Sequence, residues 1–87
     1  MRSRTTAQFR KQLAALPEIV RQHAKKAYQQ FRCDPWQSSL RFKQIHPRQP
    51  LYSVRVAQGY RAVGRRDERG MLWFWIGSHA DYDKLLA

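Results

Sequence analysis

The chain has 87 residues, 17 Lys and Arg against 6 Asp and Glu, and a formal net charge of +11 at pH 7. That length supports one domain over 1–87 with one modest hydrophobic core, and no apolar run is long enough to cross a membrane as a helix. The single cysteine, Cys33, excludes an intrachain disulfide and a cysteine-based zinc site.

The charge is unevenly placed. Residues 1–66 carry 15 basic and 2 acidic side chains, whereas 67–87 carry 2 and 4. Twelve of the basic residues are arginine, the side chain suited to bidentate phosphate contacts. Solubility alone asks for a net charge of about 2–8 in a small domain. The excess therefore points to a polyanionic partner: nucleic acid, an acidic protein, or both. The opening segment 1–6 is basic but lacks the apolar centre of a signal peptide, so a cytoplasmic protein is expected.

Residues 5–15 read as a first helix, with Phe9, Leu13 and Leu16 spaced by four and three. Pro17 suits the first turn of a second helix. There Ile19, Val20, His23, Ala24, Ala27, Tyr28 and Phe31 trace an apolar stripe, so His23 is expected in the core. Lys25 and Lys26 belong to the wet face. Asp34-Pro35 ends this helix, because a residue before proline avoids helical angles, and leaves Cys33 at its end as an inert residue. Trp36 is expected to cover the bottom of the core.

The remainder reads as strands. Residues 39–45 make a weak candidate, followed by the proline loop His46-Pro47-Arg48-Gln49-Pro50. Residues 51–57 alternate, with Tyr52, Val54 and Val56 on one face and Ser53 and Arg55 on the other. Gln58-Gly59 turns the chain into a strand over 60–65, and a polar loop over 66–70 leads to the next. Residues 71–76 are apolar on both faces and predict a central strand covered on both sides. Residues 81–87 predict a short terminal helix, with Leu85 and Leu86 packing back. The expected fold is α+β: an N-terminal helical hairpin on a four-stranded antiparallel sheet, with a short C-terminal helix.

The end of the last strand carries the most chemistry. In Trp75-Ile76-Gly77-Ser78-His79-Ala80-Asp81-Tyr82, an apolar run stops at glycine and a histidine and a tyrosine follow three residues apart. Arg55 and Arg61 lie in the two preceding strands. Arginine, histidine and tyrosine at strand ends can grip a phosphate and move protons. Six scattered acidic residues do not favour a two-metal nuclease, so neither a metal nor another cofactor is expected.

Four segments together resemble the RelE/ParE superfamily of type II toxin–antitoxin toxins. They are Leu16-Pro17 opening the second helix, Asp34-Pro35 followed by Ser39-Leu40-Arg41-Phe42-Lys43, the paired strands Tyr52-Ser53-Val54-Arg55-Val56 and Gly59-Tyr60-Arg61-Ala62-Val63, and the Trp75–Tyr82 ending. The resemblance spans nearly the whole chain. It implies the RelE-like fold and one of two activities: ribosome-dependent cleavage of messenger RNA, or poisoning of DNA gyrase. It also implies a cognate antitoxin, here expected to be acidic or to carry an acidic segment. No helix-turn-helix pattern appears, so operator DNA binding is left to that partner.

Carried onto this sequence, Arg55 and Arg61 match the phosphate-contacting positions. His79 stands where members carry arginine or histidine, and Tyr82 is similar to the terminal tyrosine. Ser53 replaces a second lysine of some relatives, and no carboxylate lies in 38–45, where another branch places a glutamate. The implied reaction is attack of the RNA 2′-hydroxyl on the neighbouring phosphorus, giving a cyclic phosphate. Arg61 with Arg55 would stabilise the phosphorane and His79 would transfer a proton. Tyr82 would supply a proton or stack on a base. Lys43 and Arg41 would follow the RNA backbone, with His46 as an outside candidate for the base. Two other readings remain open from the residues: a gyrase poison, and a non-catalytic RNA- or ribosome-binding module. A degenerate toxin acting only as a co-repressor is a further variant.

Overall fold

A computed structural model describes residues 1–87. In chain order the elements are β1 (Ser3–Thr5), α1 (Ala7–Ala14), α2 (Glu18–Cys33), a single 3₁₀ turn (Ser38–Leu40), β2 (Lys43–Gln44), β3 (Leu51–Ala57), β4 (Tyr60–Asp67), β5 (Gly70–Ser78) and α3 (His79–Leu86). The sheet has five strands in the order β1-β5-β4-β3-β2, with β1 parallel to β5 and the other pairs antiparallel. The α+β class holds, but the expected four-stranded antiparallel sheet gains a parallel edge strand at the N-terminus.

That strand comes from residues too short and too polar to show a strand period. Ser3, Arg4 and Thr5 pair with Met71, Leu72 and Trp73. The Trp73 indole N–H donates to Ser3 Oγ at 3.1 Å, and Arg4 forms an ion pair with Asp67 across the sheet edge. Thr6 then caps α1, its hydroxyl accepting from Phe9 N–H at 3.1 Å. The first helix thus begins two residues later than its apolar spacing suggests. β1 is too short to cover all of β5. Beyond it, the Ile76 N–H donates to Gln12 Oε1 of α1 at 3.1 Å, so a helix side chain completes the ladder.

Arg21 joins the two helices by donating to the carbonyls of Leu16 at 2.7 Å and Ala14 at 3.4 Å, groups left unpaired at the end of α1. The stripe of α2 is narrower than its sequence suggests. Val20, Ala27 and Phe31 are buried, whereas His23 is exposed rather than packed in the core and Ile19 is 57% exposed. Both sit at the margin of the stripe, turned away from the sheet. The core lies between the helices and one sheet face: Ala27, Phe31, Leu40, Phe42, Val54, Val56, Ala62, Met71, Trp73 and Ile76. Phe31 stands edge-on to both Phe42 and Trp73, with ring centroids 5.1 and 5.5 Å away. Trp36 touches Phe42 at 4.8 Å but stays 59% exposed, so it only fringes the core.

Two strand expectations change. Of residues 39–45 only Lys43–Gln44 pair, because Leu40 and Phe42 both turn into the core and force Arg41 between them into a left-handed backbone, φ 49. β5 lies between β1 and β4, while β4 is the middle strand. Its helix-facing Met71, Trp73 and Ile76 are buried; Leu72, Phe74 and Trp75 are half-buried, so cover on the second side is partial. The ladder slips by one residue between Val63 and Gly64, which leaves Phe74 as the extra residue of a bulge. Gly64 faces the Trp73 ring, where an added Cβ would come within 2.7 Å.

The Arg4–Asp67 pair has a pH consequence. The hydrogen bond from Arg4 first, then that from the Arg69 backbone, hold the Asp67 carboxyl below its ordinary 3.8. A carboxylate with a depressed folded pKa binds fewer protons folded than unfolded. Its contribution is therefore whole above about pH 3.8 and disappears as pH falls through the lower folded value. The protection of the Ser3–Thr5 amides, taken against the intrinsic exchange rate at each pH, is expected to fall on acidification through that window. Asp67→Asn should show fast exchange at neutral pH already. Equal protection of β1 in both proteins at pH 7 would refute the clamp.

Candidate active site

The site lies on the sheet face opposite α1 and α2. Register fixes which residues share that face. Arg55, Arg61 and Gly77 stand in one row across β3, β4 and β5, and Lys43, Ser53, Val63 and Trp75 in another. The β3–β4 connection, Gln58-Gly59, places Gly59 at φ 78, a backbone that L side chains rarely adopt. A slip of register between Arg55 and Ala57 re-aims the end of β3 beside this turn.

The last strand then hands over directly to α3. Ser78 caps the helix, its hydroxyl accepting from Asp81 N–H at 3.2 Å, so His79 is the first helical residue. The helix starts two residues earlier than expected, which moves His79 from a connecting loop onto a fixed element. The His79 N–H donates to the Gly59 carbonyl at 2.7 Å and ties the histidine to the β3–β4 turn.

These elements enclose a pocket of about 310 Å³ lined by Arg41, Arg55, Ala57, Gly59, Tyr60, Arg61 and His79. Three guanidinium groups and an imidazole share it with no carboxylate in the lining. The Arg61 Nε–H donates to His79 Nδ1 at 3.4 Å, which leaves the ring proton of a neutral imidazole on Nε2. That nitrogen faces Asp83, one helical turn on, at 3.7 Å. Arg61 Nη1 is buried without a hydrogen-bond partner. Three guanidinium groups with no acid among them make the pocket complementary to an anion.

The remaining expected residues divide. Arg41 reaches the pocket through its left-handed backbone. Lys43 is exposed on the same sheet face, one row away. Tyr82 is buried beside the pocket rather than open to it: it is 5% exposed and its hydroxyl donates to Ser53 at 3.3 Å. His46 is not brought to the site. Its Nδ1 accepts from the Arg48 and Gln49 N–H groups at 3.0 and 2.9 Å and holds the proline loop together. Sequence reasoning missed Gly59 as the anchor of His79, Ser53 as the partner of Tyr82, and Asp83, whose i,i+4 spacing from His79 was the available signal. No three His, Cys, Asp or Glu side chains converge as a metal ion would require.

A second concavity lies on the helix side. It is a groove of about 600 Å³ between α1 and α2, floored by Val54, Ala62, Trp73 and Ile76 and reached by Arg4, Arg21 and Lys25. No helix is long and apolar enough to cross a membrane.

The family model described as the ParE-like toxin domain matches residues 18–84. No curated protein matches the chain. Among solved structures, the chain is similar to one from the RelB–RelE antitoxin–toxin complex of Methanococcus jannaschii, at TM-score 0.76 and 14% identity, covering 97% of this chain and 99% of that one. It is similar to one from the archaeal RelE–RelB complex of Pyrococcus horikoshii OT3, at TM-score 0.69 and 15% identity, covering 88% and 92%. A copper-bound mutant toxin from Helicobacter pylori gives 0.63 at 11% identity, covering 93% and 97%. At these identities the likeness is one of fold.

Proposed function

The chain belongs to the ParE-like toxin domain family of the RelE/ParE superfamily, and from that membership we propose that it is a type II toxin that cuts messenger RNA on the ribosome. The observation that carries this reading is the Arg61–His79 contact at the mouth of a pocket lined by three arginines and no acid. A gyrase poison needs no such pairing of a proton carrier with phosphate-binding groups.

RNA supplies its own nucleophile. The 2′-oxygen forms a bond to phosphorus, the bond from phosphorus to the 5′-oxygen breaks, and a 2′,3′-cyclic phosphate remains. Arg61 and Arg55 bind the non-bridging oxygens and offset the extra charge that the phosphorane develops. His79, held against Arg61, takes the proton leaving the 2′-hydroxyl or supplies the one that the departing 5′-oxygen gains, and solvent water carries the other. Arg41 and Lys43 hold the flanking backbone by charge, an interaction that weakens with salt.

The antitoxin partner is one with an acidic segment. Support comes from the helix-side groove, where an apolar floor and basic Arg4, Arg21 and Lys25 suit an amphipathic, acidic helix. The solved likenesses from M. jannaschii and P. horikoshii are themselves chains of antitoxin–toxin complexes. The toxin acts in the cytoplasm, where both messenger RNA and such a partner are made.

A second reading has one observation in its favour: the matching family model is ParE-like. It makes the chain a gyrase poison. Induction of the gene, with pulse-labelled translation and chromosome integrity followed together, separates the two. Translation should stop first, with new messenger 5′-ends at ribosome positions and intact DNA. Broken DNA with continuing translation would replace the ribonuclease reading by the gyrase one.

A further inference from the structure

Tyr82 is the only residue of α3 that the fold buries; the other seven are exposed. Several groups of the site meet on it. The His79 ring lies nearly parallel to its own, 25° apart with centroids at 5.8 Å. The Arg61 guanidinium stands over its face, 5.4 Å from the centroid. Trp75 backs it at 6.3 Å. Its hydroxyl donates to Ser53 Oγ at 3.3 Å, and Ser53 is 0% exposed. Neither Tyr82 nor Ser53 lines the cationic pocket.

A phenol that hands a proton to a leaving oxygen must reach the reacting atoms, within about 3 Å or through one water. This one is turned into the sheet and committed to a serine that solvent does not touch. Its ring, in contrast, contacts both groups assigned to the chemistry. We propose that Tyr82 is a positioning residue and not a proton donor: its ring is the platform that sets the Arg61 guanidinium and the His79 imidazole, and Ser53 latches that platform to β3. The assignment rests on the ribonuclease reading for its catalytic meaning, but the latch itself is a property of the fold. It also accounts for a small hydroxyl side chain at this buried strand position. A lysine there would have to lie buried beneath the tyrosine.

The test is a double-mutant cycle with a second readout that needs no RNA. Ser53→Ala and Tyr82→Phe should each lower kcat for messenger cleavage roughly threefold to tenfold, the effect of one neutral hydrogen bond. The double variant should be no slower than the slower single one, because both remove the same contact. Tyr82→Ala, which removes the platform, should lose at least about 100-fold. A loss of that size in Tyr82→Phe, with Ser53→Ala at the wild-type rate, would make the hydroxyl the proton donor and overturn the proposal. Hydrogen exchange supplies the independent arm. In Ser53→Ala the amides of α3 should exchange faster while those of β3 to β5 keep their protection. Unchanged exchange in α3 removes the latch whether or not the chain cuts RNA, so the two readings fail separately.

Discussion

His79→Ala and Arg61→Ala are each expected to slow messenger cleavage by at least about 100-fold, while the purified variants stay folded. The two losses have different origins. A positioned general acid or base contributes about 10²–10⁴ in rate, and His79 is the only histidine in the pocket. Removing one preorganised donor to a developing oxyanion costs about 10²–10³, and Arg61 is the pocket guanidinium that touches His79. Arg61→Lys should recover little. An ammonium keeps the charge and has donors enough, but it is a point on a flexible stem and lacks the planar fork that fixes one N–H on the imidazole and another toward the phosphate. Folding is not at stake in the same way, because His79 is exposed and the core lies on the opposite face of the sheet. The measurement is the single-turnover rate on programmed ribosomes, with circular dichroism as the control. Full activity in both variants would remove the pocket from the chemistry. Toxicity retained in cells without messenger cleavage would favour the gyrase reading.

Phe31→Ala is expected to be among the costliest single truncations in the core. Phe31 is 3% exposed and packs edge-on against Phe42 and Trp73, so it joins α2 to both the segment after the 3₁₀ turn and β5. Truncating a buried phenylalanine costs about 3–5 kcal/mol, as lost transfer energy plus an unfilled cavity. A domain of this length has only about 4–13 kcal/mol in total. Tm should fall on the order of 20 °C, readable in a thermal melt. Phe31→Leu, which keeps most of the volume, should cost much less. A Tm within a few degrees of wild type for the alanine variant would mean that α2 is held by other contacts.

Part of the site was legible because its residues lie on strands with a clear period. Arg55 and Arg61 alternate with apolar neighbours, so their common face follows from pairing β3 with β4. The direct handover from Ser78 to His79 was not legible, because the apolar residues end the strand at Ile76 and begin the helix at Asp81, whereas the cap at Ser78 joins the two elements without a loop. His46 misled, because a histidine in a basic loop has the same sequence appearance whether it faces a substrate or, as here, accepts two backbone N–H groups. His23 misled for a related reason. Its helical spacing places it at the edge of the apolar stripe, and only the width of the sheet beneath determines on which side of that edge it falls.

Sequence alone settled what is local or additive: the excess of cations, the two helices, the hairpins and their faces, and the exclusion of an intrachain disulfide. Those properties depend on residues within a few positions of one another, or on sums over the chain. The tertiary structure alone decided the pairing of β1 with β5, the left-handed turn that delivers Arg41, and the contact of Tyr82 with Ser53. The first joins Ser3 to Met71 and the last spans 29 residues. Contacts of that separation are chosen by which buried polar groups must find partners once the core has closed, and no local pattern encodes that choice.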